Sequence, residues 1–258
     1  MSRLWPDALH AGLFPGHCWL RKGSGKDELL AGFAGAATAS DMLQGLEQCL
    51  IQSQDKRKGR LDVSILVSDC VAAIAPLPWQ DGLSSEAELQ GYAQICFEKL
   101  GYEIGTNWVT RVEYLRYGSP GMAYAMPRDW MESLLEKLQA QRIHLVNILP
   151  VSAQVFCGGL IPAKKGLTVV LVIESTQQCT LMFRNGHLLS RDVQPFAQSI
   201  EKTCHRLLAR VLSNQNTADK DALNLLWWSS QEIDCPDAAI KAYISEGNVT
   251  AITKKRCA

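Results

Sequence analysis

The sequence lacks any apolar run long enough to cross a bilayer, and it lacks an excess of charge of either sign. A membrane-spanning helix needs about 20 consecutive apolar residues, and polar residues interrupt every candidate in the 258-residue chain. Lys plus Arg and Asp plus Glu both number 26, so the formal charge is zero and nothing indicates a nucleic-acid surface. The first residues, MSRLWPDALH, do not form a signal peptide. We therefore expect a cytoplasmic protein with no direct membrane insertion and no nucleic-acid partner.

Motifs for metal binding and for nucleophilic catalysis are also absent. The nine cysteines and five histidines occur singly, without a Cys-x-x-Cys pair or a second ligand nearby, so neither a disulfide framework nor a zinc site is predicted. No Gly-x-Ser-x-Gly elbow occurs. The segment Gly23-Ser24-Gly25-Lys26 lacks the spacing of a P-loop and lies between two predicted strands. We expect no metal, no cofactor and no enzymatic activity.

The second half of the chain contains three consecutive strands followed by a helix. The strands are predicted at Leu167–Glu174, Cys179–Arg184 and His187–Val193, and Asn185-Gly186 is a strong hairpin pattern. An apolar stripe from Phe196 to Val211 predicts the helix. A further strand, helix and strand are predicted at Leu223–Trp228, Pro236–Ile244 and Val249–Ile252.

The first half begins with the same order and then carries additional elements. Three strands, a helix capped by Ser40 and a fourth strand are predicted at Ala8–Phe14, His17–Arg21, Glu28–Phe33, Ser40–Gln54 and Leu61–Val67. Asp62 and Asp69 flank the fourth strand and are predicted to face solvent. The additional elements are a strand, a helix with a Ser85/Glu88 capping box, a hairpin, a helix and a strand, at Cys70–Leu77, Ser85–Gly101, Trp108–Met126, Pro127–Gln141 and Ile143–Leu149. We predict two lobes, residues 1–158 and 159–258, with an α/β subdomain inserted in the first at about residues 70–150.

Two copies of this element order, with an α/β insertion in the first copy, resemble the two-lobed actin-like (ribonuclease H-like) fold. Within the insertion, the strand that ends in Ala75-Pro76-Leu77-Pro78-Trp79 and the later strand into Pro150 are similar to the PilM protein of type IV pilus platforms and to the cytoplasmic domain of the type II secretion L protein. This resemblance implies a scaffold that binds the cytoplasmic tail of a single-span inner-membrane protein. A homodimer is the other partner arrangement that we consider.

The turns that bind nucleotide in catalytic actin-like proteins differ in this sequence. The resemblance places one turn at Pro15 and Gly16, where proline removes an amide and no carboxylate precedes the glycine. The other turn is Glu174-Ser175-Thr176, which has no glycine. Trp227 and Trp228 replace the Gly-Gly pair that usually accommodates the nucleoside. We predict a vestigial nucleotide site, while an ATP-binding switch with an atypical site and a small-molecule sensor remain alternative interpretations.

Five aromatic residues fall at the edges of the predicted insertion: Trp79, Trp108, Tyr114, Tyr117 and Trp130. Protein interfaces favour tryptophan and tyrosine. We predict that these residues form a peptide-docking groove between the first half and its insertion, with core packing as the alternative for each one.

Overall fold

Three β-sheets form the framework of the protein. A computed structural model describes residues 7–22, 28–35, 38–53, 61–157, 166–195, 202, 206, 209–210, 223–229 and 249–256. The strands are β1 Asp7–Phe14, β2 His17–Lys22, β3 Glu28–Ala34, β4 Leu61–Val67, β5 Ala73–Leu77, β6 Trp108–Glu113, β7 Gly121–Pro127, β8 Ile143–Pro150, β9 Leu167–Ile173, β10 Gln177–Arg184, β11 His187–Pro195, β12 Leu223–Ser229 and β13 Val249–Arg256. The helices are α1 Ala39–Gln52, α2 Glu86–Lys99, α3 Arg128–Ala140 and α4 Val151–Cys157. The predicted helices at Phe196–Val211 and Pro236–Ile244 and the turn at Gly23–Lys26 lie outside the described residues, apart from residues 202, 206, 209 and 210.

Two of the sheets have the same topology. The first has the order β3-β2-β1-β4-β8 and the second has the order β11-β10-β9-β12-β13. In each, three antiparallel strands are extended by two strands parallel to the first one. The predicted repetition is therefore confirmed for the strands; the helices predicted in the second half lie almost entirely outside the described residues. We call the first sheet with α1, α3 and α4 the first lobe, and the second sheet the second lobe.

The third sheet belongs to the insertion. Its order is β5-β7-β6, and both strand pairs are antiparallel. One face packs on α2 through Ala93 and Phe97, and the opposite face turns Met122 and Met126 toward the first lobe. Strand β8 pairs with β4 in the first-lobe sheet, so the predicted end of the insertion near residue 150 is wrong. The insertion, as we use the term, is residues 69–127.

Local hydrogen bonds explain where several elements begin. The Ser85/Glu88 capping box at α2 is confirmed. Helix α1 begins earlier than predicted, because Thr38 and Asp41 form a capping box and Ser40 is already helical. The Thr38 hydroxyl accepts from the Asp41 amide at 3.2 Å, and the Asp41 carboxylate accepts from the Thr38 amide at 2.8 Å. This reciprocal pair satisfies two amides that Ser40 alone would leave open.

The predicted strand Cys70–Leu77 also begins differently in the structure. Asp69–Val71 form one turn of 3₁₀ helix, which Ser68 caps by accepting from the Cys70 amide at 3.2 Å.

At the second-lobe hairpin, Asn185 and Gly186 both have positive φ, as a type I′ turn requires. Within the described residues, no helix has both the length and the apolar character needed to cross a bilayer.

A single large apolar core joins the two lobes. It includes Leu13 and Phe14 at the end of β1, and it continues through Leu181, Phe183 and Trp228 of the second lobe. The lobes are therefore held together by shared apolar burial as well as by the polar contacts described next.

Candidate functional site

The two turns that resemble phosphate-binding turns lie against each other at the junction of the lobes. Gly16 follows Pro15 in the β1–β2 turn with φ +88°. The Ser175 hydroxyl of the β9–β10 turn donates to the carbonyl of Pro15. A Cβ added at Gly16 would lie 3.7 Å from Ser175 Oγ, while Thr176 is exposed. A phosphate chain placed between these turns would require them to separate.

Behind the turns, polar side chains from both lobes form a buried group that we call the inter-lobe cluster: Asp69, Ser152, Glu174 and Arg191. The Asp69 carboxylate accepts from the Ser152 amide at 2.9 Å, from the Ser152 hydroxyl, and from Arg191 Nη2 at 3.1 Å. The side chains of Arg191 and Asp69 are 6% and 0% exposed. The prediction that Asp69 faces solvent is therefore wrong, because the 3₁₀ turn directs its carboxylate inward.

Glu174 brings a second carboxylate to the inter-lobe cluster. One of its oxygens accepts from the Asp69 amide at 3.3 Å and from Gln177 Nε2 at 3.1 Å. Burial, followed by the negative charge of Asp69, raises the pKa of the Glu174 carboxyl from its ordinary value of 4.5 to about 7. Because the folded-state pKa lies above the unfolded value, this group's contribution to stability is complete below pH 4.5. It is lost as the pH rises through about 7.

The cysteine beside the cluster is not an activated nucleophile. Cys179 Sγ lies 3.5 Å from Ser152 Oγ, but burial raises the pKa of the Cys179 thiol to about 12, so it stays protonated at neutral pH. In the part of the chain that the structure describes, no group of three His, Cys, Asp or Glu residues could hold a metal ion. The geometry supports a structural tie between the lobes.

Aromatic side chains fill the space beside the first turn. The rings of Phe14 and His17 stack with their centroids 5.1 Å apart, and the ring of Phe14 lies 6.0 Å from that of Trp228. Phe14 is fully buried and Trp228 is 5% exposed. The indole therefore belongs to the core at the end of β12, on the side that the resemblance assigns to the nucleoside.

The structure brings together three of the five aromatic residues predicted to bind a partner. The ring of Trp79 contacts those of Tyr114 and Tyr117, with centroids 5.4 and 4.8 Å away. Trp130 lies elsewhere: it is 7% exposed, and its indole donates to the carbonyl of Ala39 at 2.9 Å. Trp108 is the first residue of β6 and packs, like Tyr114, against the apolar cluster between the insertion sheet and α2. The five residues therefore do not line one groove.

Two grooves lie along β6, and both include Val109 and Arg111. The inner groove, of about 260 Å³, separates β6 from β8, and its other lining residues are Tyr124, Met126, Met131, Leu145, Val146, Asn147 and Ile148. The outer groove, of about 720 Å³, separates β6 from α2, and its other lining residues are Ala87, Gln90, Gly91, Gln94, Ile104, Gly105, Thr106, Trp108, Thr110 and Arg128. The inner groove lies between the first lobe and the insertion, where the sequence predicted a docking site.

Sequence reasoning missed three members of the inter-lobe cluster. Asp69 and Ser152 follow the ends of the neighbouring parallel strands β4 and β8, an arrangement that becomes visible only when β8 is placed beside β4. Arg191 lies on β11 among polar neighbours and has no local pattern that distinguishes it. The pairing of the strands brings these residues together.

No family model matches the sequence. The mitochondrial alternative oxidase of Blumeria graminis is 30% identical to this chain in an alignment 164 residues long, and the match covers 55% of this chain and 40% of that protein. The chain thus spans less than half the length of this curated relative, and the oxidase activity is not assigned to it.

Solved structures define the fold. A Bacteroides thetaiotaomicron protein of unknown function with an actin-like ATPase fold superposes with a TM-score of 0.64 at 10% identity, covering 96% of this chain and 90% of that one. The cytoplasmic domain of EpsL, an inner-membrane component of the Vibrio cholerae type II secretion system, gives 0.56 at 13% identity, covering 96% and 90%. The PilM–PilN type IV pilus biogenesis complex gives 0.57 at 13% identity, covering 97% and 88%. The chain has a two-lobed actin-like fold with an inserted α/β unit, as predicted.

Proposed function

We propose that this protein is a non-catalytic actin-like scaffold of a type IV pilus or type II secretion-like inner-membrane platform. In this proposal it is cytoplasmic and is recruited to the membrane by the cytoplasmic tail of a single-span partner. The likeness in fold to PilM and to the EpsL cytoplasmic domain supports the class of assembly. The contact between the Ser175 and Pro15 turns supports the absence of ATP turnover.

The observation that carries the docking site is a pair of open strand edges on either side of an apolar groove. Among the described strands, β6 pairs only with β7, and β8 pairs only with β4. The inner groove between them is lined by Met126, Met131, Leu145 and Ile148. Open edges offer backbone donors and acceptors to an extended peptide, and an apolar floor accepts its side chains. The tail binds there as an added strand.

Val146 provides a test of this site that does not risk the fold. Its side chain is 57% exposed on β8 and lines the inner groove. We expect Val146→Asp to weaken binding of the partner's tail at least tenfold, because a carboxylate would be desolvated against the bound peptide. Leu189→Asp on β11 is the matched control, since Leu189 is 49% exposed and lies in the second lobe.

The experiment identifies single-span membrane proteins that co-purify with the tagged protein and then titrates synthetic peptide copies of their cytoplasmic tails by calorimetry. Binding that is lost in Val146→Asp and kept in Leu189→Asp supports the proposal. Equal binding by both variants removes the inner groove as the site, and absence of binding to the unaltered protein overturns the tail-binding function. Micromolar affinity for ATP with Mg²⁺ in a parallel titration would favour the nucleotide switch instead.

A further inference from the structure

Among the described strands, the inner groove has an open edge on each side, and the two edges differ in regularity. In the pairing of β8 with β4, Val63 lies opposite Leu145 and the next residue of β4 lies opposite Asn147. Val146 is therefore an extra residue in the middle of β8. An extra residue bends its strand and interrupts the even spacing of the backbone groups along the edge. Proteins use such irregularities to keep edge strands from pairing.

The six residues of β6 pair with β7 without a shift, and Pro127 fixes the direction of their backbone groups. Pro127 lies opposite Trp108 and has no N–H to donate. The following residue, Arg128, donates its amide to the carbonyl of Asn107 at 2.7 Å. The Trp108 amide donates instead to the carbonyl of Gly105, at 3.1 Å. Trp108 therefore belongs to a pair without ladder hydrogen bonds, and its backbone groups point away from β7.

The same direction applies to every second residue of β6. Because hydrogen-bonded and non-hydrogen-bonded pairs alternate in an antiparallel ladder, the backbone groups of Thr110 and Val112 also point away from β7. Pro76 gives the same phase independently: it cannot donate to Met122 on β7, so the backbone groups of Met122 point toward β6. The open edge of β6 therefore offers two amides, those of Thr110 and Val112, and three carbonyls, those of Trp108, Thr110 and Val112. No other described residue bonds to these groups.

Space for an added strand exists on both faces of this edge. The side chains of Val109 and Arg111 share the first-lobe face with Tyr124 and line the inner groove. Both residues also line the outer groove, which lies on the α2 side. The two grooves therefore meet around the open edge of β6, and the side chains of an added strand would alternate between them.

Charges of both signs flank this edge. Arg111 and Glu113 lie two residues apart on one face of β6. Arg128 lines the outer groove, and Glu86 and Glu98 accept hydrogen bonds from glutamines of α2 that line the same groove. Neither face presents a single sign of charge, so the backbone groups of the edge are the feature that can select an occupant.

We propose that the partner's tail pairs with β6 through the backbone groups of Trp108, Thr110 and Val112, and that β8 contributes side-chain contacts alone. This inference rests on the proposed docking of a tail, and it adds which strand recognises the tail and what kind of segment is recognised. That segment is extended and has a free N–H at every second position, so proline is excluded at those positions and tolerated between them. The edge does not select the charge of the segment.

Thr110→Pro tests the edge with little risk to the sheet. The amide that proline removes points away from β7, so no ladder hydrogen bond is lost. Thr110→Ala is the matched control, because it removes the side chain and keeps the amide. In calorimetric titrations with the tail peptide identified by co-purification, we expect Thr110→Pro to weaken binding at least tenfold and Thr110→Ala to change it less than about threefold. Urea unfolding establishes whether both variants are folded.

Amide hydrogen exchange of the unaltered protein tests the same assignment without a substitution, and it decides the question if Thr110→Pro does not fold. Saturation with the tail peptide should slow exchange at the amides of Thr110 and Val112 at least tenfold. The Trp108 amide already has an acceptor and should change less. Unchanged exchange at Thr110 and Val112 overturns the inference.

N-methylation of the tail peptide, one position at a time, tests which kind of segment is recognised. Each N-methyl group removes one N–H, so affinity should fall at every second position along the segment and change little between them. Equal losses at neighbouring positions, or no loss at any position, overturn the inference.

The failure of this inference is distinguishable from the failure of the proposed function. A tail that loses binding with Val146→Asp but binds Thr110→Pro as tightly as Thr110→Ala overturns this inference and leaves the proposed function in place. If no tail peptide binds the unaltered protein, the proposed function is overturned and this inference falls with it.

Discussion

Removal of the Asp69 carboxylate from the inter-lobe cluster should be among the most damaging single changes in this protein. In Asp69→Ala, Arg191 loses its only carboxylate contact in the described part of the chain. Its side chain is only 6% exposed, so water cannot replace that contact. The Ser152 amide loses its acceptor as well. The free energy of unfolding should therefore fall substantially, mainly because the Arg191 guanidinium stays buried without a counter-charge.

The magnitude follows from the burial of the pair. Breaking a buried ion pair by removing one partner costs about 3–5 kcal/mol, which is a large share of the roughly 5–15 kcal/mol that stabilises a typical native protein. Removing both charges, in Asp69→Ala combined with Arg191→Met, should cost less than the sum of the single changes by about 1–3 kcal/mol, because no unpaired charge remains buried.

Urea unfolding followed by tryptophan fluorescence measures these differences through the transition midpoint at constant slope. The control is Glu47→Gln, which breaks the Lys137–Glu47 pair, whose side chains are 28% and 45% exposed. That change should cost less than about 1 kcal/mol. If Asp69→Ala costs no more than this control, or if the double variant shows the full sum of the single losses, the assignment of the cluster as a buried inter-lobe tie is refuted.

Three further changes follow from the same structure. In the unaltered protein, the free energy of unfolding should decline between pH 5 and pH 8 as the buried Glu174 carboxyl, whose pKa is about 7, ionises. Glu174→Gln should remove most of this decline because glutamine does not ionise; an unaltered decline would contradict this. Trp130→Phe should cost about 1 kcal/mol in urea unfolding, because the carbonyl of Ala39 loses its indole donor. Gly12→Ala should lower the midpoint by more than Trp130→Phe does, since the new Cβ would lie 2.2 Å from the Trp19 indole.

The architecture was largely accessible from the sequence because its patterns are local. The hairpin at Asn185-Gly186, the capping box at Ser85 and the β-branched run of β9 each depend on residues within a few positions of one another. The same order of strands and helices then occurred in both halves of the sequence, and this repetition indicated the fold class. The error at α1 was also local, since Thr38 and Asp41 satisfy the capping-box pattern as well as any pair in the chain.

The candidate site was less accessible because it depends on distant residues. Asp69 and Arg191 are 122 positions apart, and only the meeting of the two lobes places them together. The aromatic residues illustrate the same limit: Trp79 and Trp130 both fall near insertion edges in the sequence, yet one contacts Tyr117 and the other lies buried against α1. Aromatic residues at the ends of the predicted insertion indicated a binding surface, but the sequence did not show which of their side chains lie together.

The parallel pairing of β8 with β4 has a consequence for synthesis of the chain. Leu61 pairs with Ile143, and the whole insertion with α3 is translated between these partners. The strands that pair in the antiparallel insertion sheet are closer together in sequence than β4 and β8. The insertion sheet can therefore form during translation while one edge of β4 is still unpaired. Until β8 arrives, that edge is the part of the nascent first lobe most exposed to pairing with another chain.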